Sequence, residues 1–407
     1  MKVSLCIRRG ADTIGGTCIE VIASNGERIL LDLGMPLDAE ENEPDLLPNV
    51  QGLTQREASL LALIVSHPHQ DHYALGKHID PAIPVYMGAA ANRIMRACTE
   101  SRLPNSFQFP NVHELKGFES FHLGPFKITP YPMDHSGYDS YAFLIETENK
   151  RIFYSGDFRA HGRKGHLFDH LLTHPPRKVD VLLMEGSALG RLDSKETFET
   201  ETELENQFRK VFTSTPGLAL VHTSSQNIDR IVTIYRATKR TGRVLVMGGY
   251  TGRIMQVLER PSIPNFTWKD VKKLVSKRTG RGHEITADQI ADAPGRYVFI
   301  IDGRLLPLLE KAGLLVPDAH YIYSMWDGYK QKTSTGKTIA KMEAAGVPMS
   351  DLHTSGHADI PTLRKLVEAI KPARLVPVHT FNPEQYAELF GDLTTVERYD
   401  NDVVFEV

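Results

Sequence analysis

His67-Pro68-His69-Gln70-Asp71-His72 places four metal-capable side chains within six residues. The stretch follows an apolar run, Leu60-Leu61-Ala62-Leu63-Ile64-Val65, that reads as a buried strand, so the motif sits on the loop leaving that strand. Side chains alternate along extended backbone. His67 and His69 therefore point the same way and can grip one ion, while Asp71 and His72 face a second. Imidazole and carboxylate ligands without a thiolate suit a catalytic zinc site rather than a closed structural one.

The elements that must position this loop alternate between strand and helix. Residues 17–21 and 28–33 read as paired strands around the turn Ser24-Asn25-Gly26. Residues 57–65 and 83–87 add a strand each, with an amphipathic helix near 89–100. Short strands follow at 126–131, 141–147 and 151–154, then a buried strand at 179–184 that ends in Glu185. Residues 193–205 read as a loop running into a helix. The middle third has its own pattern: strands at 218–222, 243–247 and 296–301, with a helix opened by the polar turn Thr223-Ser224-Ser225-Gln226-Asn227.

Composition is that of an ordinary globular chain of 407 residues, long enough for two domains. No apolar run reaches the length of a membrane span, and the N-terminus lacks signal-peptide features. Cys6, Cys18 and Cys98 are few and scattered, as expected of reduced thiols in a cytoplasmic protein. The formal charge of −3 hides an asymmetry. Residues 207–342 carry about 22 Lys and Arg against about 10 Asp and Glu, a polyanion-attracting surface in an otherwise acidic chain. Within it, residues 269–282 are the densest basic run, which taken alone could be a solvated helix face.

The H-x-H-x-D-H loop resembles the signature of the metallo-β-lactamase fold, and the likeness extends along the chain. Ile29-Leu30-Leu31-Asp32 matches that family's early strand-end Asp, Asp134-His135-Ser136 its isolated His, Ser155-Gly156-Asp157 its later Asp, and Val376-Pro377-Val378-His379 its final His, all in the family's order. The resemblance implies that His67, His69 and His135 hold one Zn2+ and that Asp71, His72 and His379 hold another, with Asp157 bridging and Mn2+ able to substitute. Asp32 would accept the second ring N–H of a ligand histidine, or merely cap a turn.

An α/β segment between Asp157 and His379 is similar to the insertion of the β-CASP nuclease branch. Met184-Glu185-Gly186 matches its strand-end acid. His353-Thr354-Ser355-Gly356-His357-Ala358-Asp359 matches the His motif at the return from the insertion, in the form typical of ribonuclease J. The segment 322–329 and the chain end shortly after His379 depart from that pattern and imply a compact ribonuclease J-like build. The implied architecture is a four-layer αββα metallo-β-lactamase fold, residues 1–190 and 345–407, with an inserted α/β β-CASP domain at 191–344.

The implied activity is zinc-dependent hydrolysis of phosphodiester bonds, most naturally in RNA or another single-stranded nucleic acid, with no membrane partner. The two zincs would activate a water near Asp71 and Asp157. His357 would protonate the leaving oxygen, and Glu185 would hold its ring. Alternatives are a zinc hydrolase of a small ester or thioester, and a DNA-processing nuclease of the same branch. His353 and Ser355 could touch a substrate phosphate, or His353 could be structural. Ser224 and Ser225 could bind phosphate or cap a helix. Among Tyr321, Tyr323, Trp326 and Tyr329, core packing is expected for most, with Trp326 the candidate for base stacking. Arg159 and Arg163 could face substrate or solvent. Oligomeric state is left open.

Overall fold

The computed structural model describes residues 2–103, 105–191 and 193–407. It divides into two compact units, residues 1–198 with 356–407, and residues 199–355. The sequence reading had put these boundaries at 190/191 and 344/345.

The first unit is built on two seven-stranded sheets. One runs Val404–Glu406, Ser4–Arg9, Cys18–Ile22, Arg28–Leu31, Leu60–Ile64, Val85–Gly88, Val112–Leu115. The other runs Thr395–Val396, Arg374–Val378, Val181–Glu185, Lys150–Tyr154, Ser140–Thr147, Phe126–Met133, Phe121–Leu123. Period-two alternation decides what each sheet face buries. Ile29, Leu31 and Ile64 of the first sheet meet Ile152, Tyr154, Val181, Leu183, Val376 and Val378 of the second in one core between the sheets. Leu30, Leu60 and Leu63 point the opposite way, under the helix Ala89–Glu100 through Ala91 and Met95. Phe153, Leu182, Met184 and Leu375 likewise face outward, against helices His166–Thr173, Ile360–Ile370 and Tyr386–Phe390. Helix, sheet, sheet, helix is therefore the layer order, the αββα arrangement. Strands buried on both faces read as unbroken apolar runs, as Val181–Glu185 does until its last residue.

The second unit holds a seven-stranded, wholly parallel sheet in the order Glu284–Ile285, Val271–Leu274, Val244–Met247, Tyr297–Ile300, Ala219–His222, His320–Tyr323, Met349–Asp351. The basic run at 269–282 is not a helix face. Val271–Leu274 is a strand with parallel partners on both sides, Val271 and Leu274 buried and Lys277 and Arg278 exposed. Beyond it the backbone turns on Gly280, at φ +93°, with the Thr279 N–H and Oγ1 donating to Glu284 at 2.6 and 2.8 Å. Glycine and these local bonds favour the turn over a helix. Among the described residues, no helix is long and apolar enough to cross a membrane.

Leu183 is fully buried between the sheets, whereas Val403 is 44% exposed. Leu183→Ala is expected to cost about 2–5 kcal/mol through lost burial and a residual cavity. Val403→Ala is expected to stay within about 0.5 kcal/mol. Urea unfolding midpoints check both, and equal shifts would contradict the two-sheet core.

Candidate metal centre

The strands of the first unit bring the polar side chains together at their C-terminal ends. The loop after Leu60–Ile64 begins with Ser66 and His67, and the single turn Gln70–Tyr73 fixes Asp71 and His72. Its backbone is tied to the chain after Arg28–Leu31: the Leu33 N–H donates to His72 O and the Met35 N–H to Gln70 O, at 2.8 and 3.0 Å. Gly34 lies so close that a Cβ there would sit 1.6 Å from Asp71 O. No other residue fits without moving the motif.

Asp32 is completely buried with φ +60°, a left-handed conformation that costs energy for a non-glycine residue. Its carboxylate accepts from Ser66 N at 2.7 Å, Ser66 Oγ at 2.8 Å and Tyr154 Oη at 2.6 Å, and lies 2.8 Å from His72 Nδ1. An ionised carboxylate only accepts, so His72 Nδ1 carries the hydrogen and Nε2 keeps its lone pair. His379 also has positive φ, +52°. Its Nδ1 is 2.7 Å from Thr17 Oγ1 and 3.4 Å from Gly15 N. Thr17 Oγ1, the shorter contact, and the Gly15 N–H, which donates to Nδ1, hold the ring on that side and leave Nε2 facing Asp157 at 3.5 Å.

Two groups of side-chain atoms converge, His67, His69 and His135 in one and Asp71, His72, Asp157 and His379 in the other, each within 4.8 Å of one another. Asp157 Oδ2 lies 3.0 Å from His72 Nε2, 3.5 Å from His379 Nε2 and 3.8 Å from His67 Nε2, so one carboxylate touches both groups. His135 Nε2 is 3.2 Å from His69 Nδ1. Tetrahedral ligands about 2.0–2.1 Å from a shared zinc are separated by roughly this much. His67 Nε2, His72 Nε2, His379 Nε2 and both Asp157 oxygens are buried without a well-aligned hydrogen bond. Burying so many polar atoms unsatisfied is costly unless a cation is their partner. The donor set therefore fits a metal ion.

Electrostatics points the same way. Desolvation holds His67, His135 and His379 well below the usual imidazole range and takes His69 to about 4, each group helped down by neighbouring histidines. They are neutral at pH 7, the form that ligates. His72 is the exception. Desolvation lowers it, but Asp157, Asp32 and Asp71 together overcome that and raise it. Burial, then Glu185, pushes Asp157 up to about 6 against the pull of His72. A buried carboxylate held this high in the bare site is one that a cation would return to its charged form.

A third group, Asp157, Glu185 and His357, adjoins these two. Glu185 accepts from the Phe158 and Ser187 N–H groups at 2.9 and 3.3 Å and lies 3.0 Å from His357 Nδ1. Burial works against charge on both partners, yet Glu185 raises His357, and His357 lowers Glu185. The His357 ring is 21% exposed and stands 5.1 Å from that of His135.

The remaining candidates lie elsewhere. His353, Ser355, Ser224, Ser225 and Trp326 belong to the second unit. His353 Nδ1 is 3.4 Å from Arg230 Nη1, and Arg230 is buried against Glu201 at 3.0 Å. Asn227, not Ser224 or Ser225, caps the helix Ile228–Arg240 by accepting from Arg230 N. Ser225 Oγ pairs instead with Thr251 Oγ1 at 2.8 Å, and Ser224 Oγ accepts from Gln226 N at 3.2 Å. Tyr321 and Tyr323 are core, while Trp326 is 40% exposed beside Tyr329. Arg159 faces neither substrate nor solvent: it is fully buried with its Nε 3.5 Å from Asp134 Oδ1, behind His135. Sequence reading assigned no role to Thr17, Ser66, Tyr154 and Gly34. Ser66 and Gly34 at least adjoin quoted motifs, whereas nothing local marks Thr17 or Tyr154.

Comparison with known proteins follows the same lines. Residues 27–205 match the beta-lactamase superfamily domain, and residues 349–389 match the Zn-dependent metallo-hydrolase RNA specificity domain. The chain is 24% identical over 387 residues to ribonuclease J of Sinorhizobium meliloti, covering 86% of this chain and 63% of that one. It is 22% identical to ribonuclease J of Mycoplasma pneumoniae, covering 88% and 64%, and 23% identical to that of Thermus thermophilus, covering 89% and 66%. The chain thus spans less than two thirds of the length of these curated relatives. A crystal structure of a protein of unknown function from Enterococcus faecalis V583 superimposes with a TM-score of 0.83 at 20% identity, covering all of both chains. That is a likeness of fold.

Asp32→Asn keeps the size of the side chain but removes the charge that orients His72. Metal affinity is expected to fall by about 10–100-fold, read by competition with a chromogenic chelator. Unchanged affinity would mean that Asp32 only shapes the turn.

Proposed function

We propose that the chain is a ribonuclease J-like member of the metallo-β-lactamase superfamily and a zinc-dependent nuclease hydrolysing phosphodiester bonds in RNA, a reading supported by the two domain matches and the ribonuclease J relatives. The observation that carries this reading is two neighbouring groups, His67–His69–His135 and Asp71–His72–Asp157–His379, with Asp157 3.8 Å from His67 and the Glu185–His357 pair against them. His67, His69 and His135 would hold one Zn2+ and Asp71, His72 and His379 the second, with Asp157 placed to serve both. When bound, the zinc ions supply Lewis acidity toward a phosphoryl oxygen and lower the pKa of water.

The chain's own residues do the rest. Asp32 and Thr17 fix the rings of His72 and His379 by their Nδ1 atoms. Glu185 holds His357 by Nδ1, so the transferable proton sits on Nε2. As water adds to phosphorus and releases a proton to solvent, the P–O bond to the departing sugar breaks and His357 Nε2 gives its proton to that oxygen, which would otherwise leave as an unstable alkoxide. Burial opposes charge on His357, but Glu185 outweighs it and favours the protonated form. The excess of Lys and Arg in residues 207–342 supports a polyanionic substrate over a small ester. So does the RNA specificity match at 349–389, which contains His353, Ser355, His357 and His379.

His357→Ala is expected to lower cleavage of end-labelled RNA by about 10²–10⁴-fold with zinc content near that of the parent, at about two ions per chain. His72→Ala should lose both zinc and activity. RNA and DNA of one sequence, labelled at either end and resolved by size, report substrate and direction. Full activity in His357→Ala would remove the assignment of the proton donor.

A further inference from the structure

Two loops of the first unit are laced together beside the metal centre. One is residues 186–191, following Val181–Glu185. The other is residues 379–382, following Arg374–Val378. The Gly186 N–H donates to His379 O at 3.4 Å and Ser187 Oγ to the same oxygen at 3.3 Å. Thr380 Oγ1 donates to Gly186 O, and Asn382 Nδ2 to Leu189 O, both at 2.9 Å. The Arg191 N–H closes its own loop on Ala188 O at 3.0 Å. Residues Gly186 to Leu189, His379 and Thr380 are buried. From this fixed frame two large side chains reach solvent, Arg191 on one loop and Phe381, 55% exposed, on the other.

Phe381 is two residues from His379, so their Cα atoms are at most about 7 Å apart. Its neighbours Thr380 and Asn382 are both hydrogen-bonded inward, and Asn382 N donates to Thr380 Oγ1 at 3.1 Å. Phe381 therefore presents its phenyl group from a braced turn, more than half exposed. Burial lowers the Arg191 pKa against the pull of Glu185, and the Arg191 charge in turn opposes protonation of His357 and His379. A cation and an exposed aromatic ring on one braced rim match the two recurring parts of a nucleotide, phosphate and base.

We propose that Arg191 and Phe381 form a substrate clamp, Arg191 binding a phosphate next to the scissile one and Phe381 stacking on a base of the same strand. The proposal rests on the nuclease reading above. Neither residue takes part in bond breaking; both position the strand. Stacking is indifferent to base identity, so the clamp grips single-stranded nucleic acid generally, with little preference for sequence.

Zinc-loaded protein carrying His357→Ala, in which turnover is slow, is titrated with a short fluorescent single-stranded oligoribonucleotide at several salt concentrations. Adding Arg191→Ala should flatten the log–log salt dependence by about 0.7, the contribution of one phosphate contact on a single strand. Arg191→Lys should restore most of it. Adding Phe381→Ala should weaken binding by about 5- to 150-fold with the salt dependence unchanged, and Phe381→Tyr should bind like the parent. With an abasic oligomer the Phe381 effect should vanish and the Arg191 effect remain. In protein with His357 intact, both alanine variants should raise KM far more than they lower kcat. Zinc content is checked throughout. Should Phe381→Ala lose zinc, Phe381→Leu, which keeps bulk without the π face, carries the same expectation. If the parent binds and cuts RNA while the variants match it in affinity and salt dependence, the clamp is wrong and the nuclease reading stands. If the parent neither binds nor cuts nucleic acid, both fall.

Discussion

Everything in the first unit answers to one constraint: His67, His72, His379 and Asp157 are buried with polar atoms that find no well-aligned hydrogen bond among the described residues. Leaving such atoms dry costs kilocalories apiece, and a fold tolerates it only where a bound cation is the missing partner. Their rings and carboxylates cannot be left to find their own positions, because their mutual repulsion and desolvation would scatter them. Rigid anchors on the far side of each ring solve this: Asp32 behind His72, Thr17 behind His379, Ser66 beside His67. Asp32 is the most heavily used of these, and its left-handed backbone is the strain spent to aim it.

The two-sheet sandwich supplies the geometry. Strand ends are the natural place for such residues, since strands packed on both faces are stiff while the loops leaving them are free to vary. Asp32, the H-x-H-x-D-H loop, Asp157, Glu185 and His379 each follow a different buried strand. The parallel register of Lys150–Tyr154, Val181–Glu185 and Arg374–Val378 carries the last three to the same edge. Helix Ile360–Ile370, capped by Asp359 on the Thr362 N–H, holds the segment bearing His357 against the same sheet. Precision at the centre thus derives from apolar packing some distance away.

The rim of the centre differs from its floor in chemistry. The floor is imidazole and carboxylate, mutually shielded and nearly dry. The rim presents a guanidinium and a phenyl ring, Arg191 and Phe381, on loops with little freedom.

The sequence by itself determined the components whose signals are local. Apolar runs ending in an acid or a histidine mark Leu60–Ile64, Val181–Glu185 and Arg374–Val378 as strands bearing chemistry, because burial on both faces and a polar terminus are visible within a few residues. The helix Ile228–Arg240 is legible from its period and its polar turn. What the tertiary structure decided is everything that joins distant segments. Thr17 meets His379, Tyr154 meets Asp32, and Arg159 is drawn inward to Asp134; no spacing along the chain encodes these pairs, which exist only once the sheets are stacked. The edge strand Val404–Glu406 and the interior strand Val271–Leu274 were equally opaque. The first is too short to show alternation and the second too rich in lysine to look buried, and only pairing with neighbouring strands makes them strands at all.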